Sequence, residues 1–274
     1  MLHALYSRMA PAMAEDKLVF STTSAEQSGE LRYEPLGSKQ IRLLMIHPGT
    51  KDSDTQCSLS ISPFPPPLDS SSYYTLSYAW GDSAAVVSIE VNGRRKGITR
   101  NLEGALRQFR SQTKGTTWWV DGIYIDQGDN AEKSSQVYLT HYIYMGARTV
   151  HVWLGTGADE STSVMQMLVA CEDTGFPETI MRGLLSRDKS ILQIFLDFFN
   201  CPHWKRVWIV QELVCASDVV VHCGDWWVNW STLVKVNEML RRLEINRYPR
   251  IDGDIKINYA SSIYSNDVAR TTEI

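Results

Sequence analysis

The chain has 274 residues, of which 43% are hydrophobic and 21% are charged, so it can bury a sizeable core. This composition excludes disordered and fibrous proteins. The formal net charge of −4 leaves no positive surface for a phosphate backbone, and we therefore expect no nucleic-acid partner. No apolar run reaches the roughly 18 residues of a membrane span, and five scattered cysteines without a CxxC pair indicate reduced thiols. We expect a cytoplasmic protein with no membrane span.

The hydrophobic pattern predicts strands that alternate with helices behind a polar N-terminal segment. Residues 1–29 lack sustained periodicity and predict a flexible arm. The predicted elements that follow are strands at 41–46, 57–61, 74–79 and 86–91, a helix at 101–109, a strand at 118–121, a helix at 130–146, a strand at 149–154, helices at 163–171, 191–199 and 204–215, and a strand at 218–223. Asn92-Gly93 predicts a tight hairpin turn, and Asn101 is the expected helix cap.

This alternation predicts an α/β fold in which a mainly parallel sheet is covered by helices on both faces, with an edge hairpin and helical insertions. We expect one domain over residues 30–240, followed over 241–274 by a C-terminal extension or the start of a further region. Ligands bind beyond the carboxyl ends of the strands in such sheets. Those ends are expected at residues 77–82, 121–127 and 155–159 and near Cys223.

Common catalytic and metal-binding signatures are absent from the sequence, which has no GxxxxGK[ST], HExxH or GxSxG segment. Cysteine and histidine residues do cluster near the C-terminal end of the predicted domain. Their spacings match no pair of zinc ligands, so the sequence favours buried thiols and a capping histidine, and we expect no metal site. The residues concerned are Cys201, His203, Cys215, His222 and Cys223.

Trp208 and Glu212 form the sharpest candidate for a functional pair. On a helix they stand four residues apart and share one face, which places an indole beside a carboxylate. An aromatic wall partly desolvates a carboxylate and makes it responsive to a cationic ligand. The alternative is an exposed Glu212 that pairs with a lysine or caps nearby backbone.

A second candidate cluster ends the predicted strand at 74–79. It combines hydroxyls, an indole, a carboxylate and a glycine that lets backbone approach a ligand, and Asp121 ends the next strand at the same edge. The alternative is that Trp80 fills the core and Asp82 stabilises a turn. The cluster consists of Ser77, Tyr78, Trp80, Gly81 and Asp82.

Three ordered blocks resemble the fungal heterokaryon-incompatibility (HET) domain. The first is YTLSYAWGD at 74–82, preceded by IRLL at 41–44 and by Pro48-Gly49. The second runs from Trp119 to Gly155, and the third is RVWIVQE at 206–212. Two positions depart from the family pattern, because Tyr124 stands where the family usually has cysteine and Asp126 where it usually has asparagine.

The resemblance implies a role in non-self recognition and regulated fungal cell death, with the domain as a self-associating toxic effector that acts with other cell-death proteins. The HET family is similar to Toll/interleukin receptor (TIR) domains, which implies a flavodoxin-like sheet. Some TIR domains cleave NAD+ at the nicotinamide–ribose bond with a glutamate in a Trp-x-x-x-Glu-like context, which Trp208 and Glu212 match.

On this hypothesis NAD+ is a substrate rather than a cofactor, and Glu212 is the catalytic residue. The expected substrate-binding residues are Ser77, Tyr78, Trp80, Gly81, Asp82, Asp121 and Trp208. The rival hypothesis is a non-catalytic assembly module in which the same cleft is a packing interface, and a weaker one is a domain that binds a nucleotide without cutting it. An enzyme needs Glu212 at an open cleft with Ser77 and Asp121, whereas an assembly module can bury it in a salt bridge.

Overall fold

The computed structural model describes residues 29, 31–37, 39–65, 73–126, 128–174, 179, 182–183, 188–206 and 208–244. The strands among these residues are β1 (Gln40–Ile46), β2 (Gln56–Pro63), β3 (Tyr73–Tyr78), β4 (Val86–Val91), β5 (Arg94–Thr99), β6 (Thr116–Trp119), β7 (Val150–Trp153), β8 (Val219–Cys223) and β9 (Trp226–Asn229). The helices are α1 (Arg100–Phe109), α2 (Asp121–Tyr124), α3 (Asn130–Met145), α4 (Asp159–Thr174), α5 (Lys189–Phe199), a 3₁₀ helix (Pro202–Lys205), α6 (Ile209–Val214) and α7 (Trp230–Glu244).

The strands form one mixed sheet in the order β5-β4-β2-β1-β6-β3-β7-β8-β9. Its centre, β6-β3-β7-β8, is parallel, and along the chain these four strands follow the 2-1-3-4 order of a flavodoxin-like sheet. The flanks are mixed: β2 and β4 form a parallel pair, whereas β1 is antiparallel to both β2 and β6, and β4–β5 and β8–β9 are antiparallel pairs.

The α/β fold is therefore confirmed, whereas the expected mainly parallel sheet is matched only in part, by the central strands and the pair β2–β4. Short connections explain the antiparallel pairs β1–β2, β4–β5 and β8–β9. A parallel pair needs a crossover of a dozen or more residues, and a turn such as Asn92-Gly93 can join only antiparallel neighbours. Asn92 and Gly93 have φ values of 53° and 71°, as the predicted tight hairpin turn requires.

Two hydrophobic clusters cover the opposite faces of the sheet. Successive side chains of a strand point to opposite faces, so in β7 Val152 joins the cluster beneath α3 to α7 while Trp153 joins the cluster beneath α1. In β3 the same alternation sends Leu76 and Tyr78 toward α1. Ser77 consequently points to the face that carries α3 and α6.

Two helix predictions need correction. Thr99, not Asn101, caps α1, because the Thr99 side chain accepts a hydrogen bond from the Leu102 amide. The side-chain amide of Asn101 instead donates from Nδ2 to the carbonyl oxygen of Ala79 at 2.6 Å, and its Oδ1 accepts from the Trp153 indole at 3.0 Å. Asn101 thus ties the end of β3 to the end of β7.

The expected helix over 204–215 is two separate pieces. The 3₁₀ helix ends at Lys205, and Arg206 is extended, with φ −63° and ψ 139°, before α6 begins at Ile209. The predicted strand at 118–121 likewise ends at Trp119, and Asp121 opens the short helix α2. The first break leaves Arg206 directly after the 3₁₀ helix, and the second leaves Asp121 at the start of α2.

The segment after Asp225 forms β9 and α7, which the hydrophobic pattern left unassigned. β9 pairs with β8, and α7 packs on β8, β9 and α4, so this segment completes one edge of the core. The predicted arm at 1–29 lies outside the described residues apart from Gly29, and the predicted C-terminal region lies outside them from residue 245 onward.

Gly224→Ala should destabilise the fold far more than Gly93→Ala. Both glycines have positive φ, which costs a residue with a Cβ about 1–2 kcal/mol. A Cβ at Gly93 meets open space, whereas one at Gly224 would lie 2.7 Å from the backbone oxygen of Thr156. We expect a further loss of about 1–3 kcal/mol at Gly224, measured as the free energy of unfolding in urea. Equal losses in the two variants would contradict this account of the β8–β9 turn.

Candidate functional site

Glu212 is a buried carboxylate held by an arginine and a serine. Its side chain belongs to α6 and is only about 3% exposed. Arg206 donates two hydrogen bonds to it, from Nη1 to Oε2 at 3.0 Å and from Nη2 to Oε1 at 2.9 Å. The hydroxyl of Ser77 donates to the same carboxylate from the sheet. This bidentate pairing is the strongest geometry available to an arginine and a carboxylate.

A second carboxylate, that of Asp121, lies next to the same guanidinium. The distance from Asp121 Oδ2 to Arg206 Nη2 is 3.9 Å. Asp121 Oδ2 also accepts a hydrogen bond from the indole of Trp80 at 3.0 Å. We call Glu212, Arg206, Asp121 and Ser77 the Glu212 centre. It holds two acids and one base, which leaves an excess of one negative charge among these four side chains.

Local chain geometry explains why these residues meet. Ser77 lies in β3 and points to the α6 face, and Asp121 follows β6, the parallel neighbour of β3. The extended conformation of Arg206 turns the chain between the 3₁₀ helix and α6, so that its side chain folds back on the first turn of α6. The centre therefore lies at the carboxyl ends of two adjacent parallel strands, where ligands bind in sheets of this kind.

Burial and charge act in opposite directions on the two ionic partners. Burial raises the pKa of Glu212, and the Arg206 guanidinium and the Ser77 hydrogen bond oppose that rise. Burial favours the neutral form of Arg206, but the charges of Glu212 and Asp121 outweigh it and raise its pKa. We assign Glu212 as ionised in this conformation, because a protonated acid could not accept both guanidinium hydrogen bonds and that of Ser77 equally well.

A small aromatic cavity of about 90 Å³ adjoins the Glu212 centre. Three indole rings and one phenol ring line it together with aliphatic side chains, and carboxylates, cations and a hydroxyl supply its polar groups. The cavity is lined by Trp80, Trp119, Asp121, Ile125, Lys133, Val137, Thr140, Tyr144, Arg206, Trp208 and Glu212. Its volume is well below the roughly 300–1,000 Å³ of pockets that enclose small-molecule ligands. In this conformation the cavity cannot enclose a dinucleotide.

The structure brings five of the predicted site residues together. Trp80, Asp121, Trp208 and Glu212 line the cavity, and Ser77 contacts Glu212 from beneath. Trp208 and Glu212 share the cavity as their four-residue spacing predicts, and the Trp208 carbonyl accepts a hydrogen bond from the Glu212 amide at 3.2 Å.

The three remaining predicted residues do not line the cavity. Tyr78 is buried on the α1 face, and its hydroxyl lies against the backbone of Gly122 and the carboxylate of Asp121, so it contacts the Glu212 centre without lining the cavity. Gly81 adopts a φ of 77° in the loop after β3. Asp82 is exposed and accepts a hydrogen bond from the Ala84 amide at 2.9 Å. It therefore stabilises a turn, which is the alternative that the sequence analysis gives for this residue.

The sequence did not predict Arg206 or His203 as residues of the site. Arg206 stands six residues before Glu212, a spacing that does not place two side chains together on a helix. The signal that could have found it is physical, because a carboxylate buried against tryptophans requires a cation. The Nε2 atom of His203 lies 3.5 Å from Ser77 Oγ, and its ring is buried.

Two positions that depart from the HET pattern have structural contacts. Tyr124 is fully buried, its ring packs on Trp119 with centroids 5.0 Å apart, and its hydroxyl donates to Gln136. The Asp126 amide donates to Glu132 at 2.9 Å. Glu132 in turn forms a buried ion pair with Arg42, with Nη1 to Oε1 at 2.6 Å, and so fixes the start of α3 against β1.

Within the described residues, no group of three or more histidine, cysteine, aspartate or glutamate side chains is arranged to hold a metal ion. In the same part of the chain, the helices are too short or too polar to cross a bilayer.

Arg206→Gln should destabilise the protein in a pH-dependent way. The variant leaves Glu212 buried without its cation, for which we expect a loss of about 3–5 kcal/mol at about pH 8. Removing the guanidinium raises the folded-state pKa of Glu212 further above its unfolded value. Such a group stabilises the fold at low pH, and that contribution is lost as the pH rises through the folded-state pKa. The loss should therefore shrink toward about pH 5, as measured by urea unfolding.

The matched control for this prediction is the double variant Arg206→Gln, Glu212→Gln. Other titrating groups, Asp121 included, are common to the single and double variants, so the difference between them reports Glu212 alone. A pH dependence that is the same in both variants would contradict the assignment.

Comparison with known proteins places these residues in a family. A family model described as "Heterokaryon incompatibility protein (HET)" matches residues 73–212, which include every member of the Glu212 centre. Heterokaryon incompatibility protein 6, OR allele, of Neurospora crassa is 32% identical over 247 aligned positions, covering 74% of this chain and 36% of that protein. The chain thus spans little more than a third of that relative, and no solved structure matches it. Since the family model covers half of its length, the chain belongs to the heterokaryon-incompatibility (HET) family.

Proposed function

We propose that this chain is a cell-death effector domain of fungal heterokaryon incompatibility, which self-associates and then cleaves NAD+ at the nicotinamide–ribose bond. One observation carries the catalytic part of the proposal. Glu212 and Asp121 share a single guanidinium beside a tryptophan-lined cavity at the carboxyl ends of β3 and β6. Family membership and the name of the Neurospora relative support the role in incompatibility.

The carboxylates and the aromatic walls of the cavity suit a cationic aromatic group. Glu212 and Asp121 are the acidic groups of the lining, and Trp80 and Trp208 offer π-faces that attract cations. The nicotinamide of NAD+ is such a group, since its ring nitrogen is positively charged while it is bonded to the ribose. Lys133 also lines the cavity, and it suits the phosphates of the same substrate.

Bond cleavage on this proposal needs little acid catalysis. The bond between the ribose carbon and the pyridinium nitrogen breaks with its electron pair on nitrogen, so nicotinamide leaves as a neutral molecule. The positive charge that develops on the ribose is stabilised by the Glu212 carboxylate, and water then attacks the ribose carbon and releases a proton to the solvent. Asp121 and Ser77 orient the substrate through hydrogen bonds, and the indole of Trp80 or Trp208 stacks on the leaving ring.

The conformation described above must open before this chemistry can occur. Glu212 is 97% buried, its oxygens are occupied by Arg206 and Ser77, and the adjoining cavity is too small for NAD+. We propose that self-association withdraws Arg206 and widens the cavity. A substrate cation could then replace the guanidinium beside Glu212, which would offset part of the cost of separating the ion pair.

A non-catalytic assembly module is the second candidate, and the burial of Glu212 favours it. A carboxylate in a closed, bidentate ion pair is what a structural role requires, and this role needs no opening. On this account the Glu212 centre fixes α6 against the sheet, and the output comes from partners that the assembled domain recruits.

Nicotinamide release from NAD+ by the purified protein should rise more steeply than the protein concentration, because self-association gates the site. Glu212→Gln should lower release at least about 100-fold at every concentration, since it removes the stabilising charge. The matched control is Glu238→Gln, which removes an exposed glutamate of α7 and should leave release unchanged. Full turnover by Glu212→Gln would exclude the proposed role of this residue.

Sedimentation of the same samples separates the two candidate functions. Wild-type protein that assembles but releases no nicotinamide supports the assembly module. Release that scales linearly with concentration, from protein that stays monomeric, would contradict self-association as the gate while retaining the chemistry.

A further inference from the structure

A thiol and an imidazole meet where the C-terminal end of α6 packs against α3. Cys215 follows α6, and its Sγ atom lies 2.7 Å from Nδ1 of His141 on α3. The two residues are 74 positions apart, so their contact depends on the packing of α3 against α6. Both side chains are half-buried, which leaves the pair within reach of small solutes.

The other four cysteines are in environments that suppress their reactivity. Burial raises the pKa of Cys57 to about 12 and that of Cys201 to about 11, and it also raises the pKa values of Cys171 and Cys223. A higher thiol pKa means less of the nucleophilic thiolate at neutral pH. Cys201 is half-buried like Cys215, so it is the natural internal comparison.

We propose that Cys215 is a site of oxidative modification, at which hydrogen peroxide converts the thiol to a sulfenic acid with His141 as the proton acceptor. The sulfur attacks one peroxide oxygen, and the O–O bond breaks. The thiol proton passes to Nδ1 of His141 and then to the departing hydroxide, which leaves as water. Sulfur is oxidised by two electrons and the peroxide is reduced, so the thiol and peroxide give the sulfenic acid and water.

The surroundings of the pair favour a neutral His141 that accepts a proton. Partial burial lowers the pKa of His141, so its imidazole is neutral and free to accept a proton at neutral pH. The amide of Cys215 donates to the carbonyl oxygen of Gln211, which places the thiol at the C-terminal end of α6, beside the imidazole. The proton is therefore transferred as the sulfur attacks, as in other nucleophile–base pairs.

Trapping of sulfenic acid tests this proposal on the reduced, folded full-length chain. The protein is exposed briefly to dilute hydrogen peroxide in the presence of dimedone, which adds to sulfenic acids, and each cysteine peptide is quantified by mass spectrometry. We expect Cys215 to be labelled at least about tenfold faster than Cys201, because a positioned base contributes about 10²–10⁴-fold. Labelling of Cys215 no faster than that of Cys201 would overturn the proposal.

His141→Gln separates base catalysis from mere exposure. Glutamine keeps a polar side chain of similar reach but cannot take up the proton, so labelling of Cys215 should fall at least about tenfold while Cys201 is unchanged. Undiminished labelling of Cys215 in this variant would also overturn the proposal. The comparison of Cys215 with Cys201 in the wild-type chain stands even if the variant folds poorly. None of these readouts depends on NAD+ cleavage.

Discussion

The guanidinium of Arg206 lies between the carboxylates of Glu212 and Asp121, and the surrounding structure is arranged to keep it there. The chain is extended at Arg206 and divides what would be a continuous helix, so that the side chain can reach back to Glu212. Ser77 approaches the same carboxylate from β3, and Trp80 holds Asp121. A buried acid without this cation would carry a large desolvation penalty, and α6 could not pack its first turn on the sheet.

The same ion pair defines what each functional hypothesis must explain. A buried ion pair is weak evidence for stability, since an apolar replacement of similar volume is often as stable. Its position therefore matters more than its strength: it lies beside aromatic walls at the carboxyl ends of β3 and β6 rather than deep in the core. If the domain is an enzyme, the ion pair blocks the site and its two side chains must separate before substrate binds. If the domain is an assembly module, the ion pair holds α6 against the sheet.

The sequence predicted those features of the structure that depend on residues close together in the chain. Asn92-Gly93 specified its hairpin through positive φ, and the four-residue spacing of Trp208 and Glu212 placed both on one cavity. The partners of those residues were not predictable in the same way. Arg206 reaches Glu212 only because the helix breaks, and Asn101 gives up the capping role to Thr99 because it bonds Ala79 and Trp153 across the ends of two strands. Such contacts depend on tertiary packing, which overrides local propensity.

Successive side chains of β3 point to opposite faces of the sheet, so the block at 74–82 contacts the helices on both faces. Ser77 points toward α6 and reaches Glu212, whereas Tyr78 points toward α1 and packs in the opposite cluster. Ser77 thus contacts the Glu212 carboxylate directly, whereas Tyr78 is a core residue whose hydroxyl contacts Asp121. The segment that matches the HET family model begins at residue 73, in this strand, and ends at Glu212. Because the Ser77–Glu212 hydrogen bond joins the two ends of that segment, the matched region closes on itself at the candidate site, so the strand, the ion pair and the cavity form one structural unit.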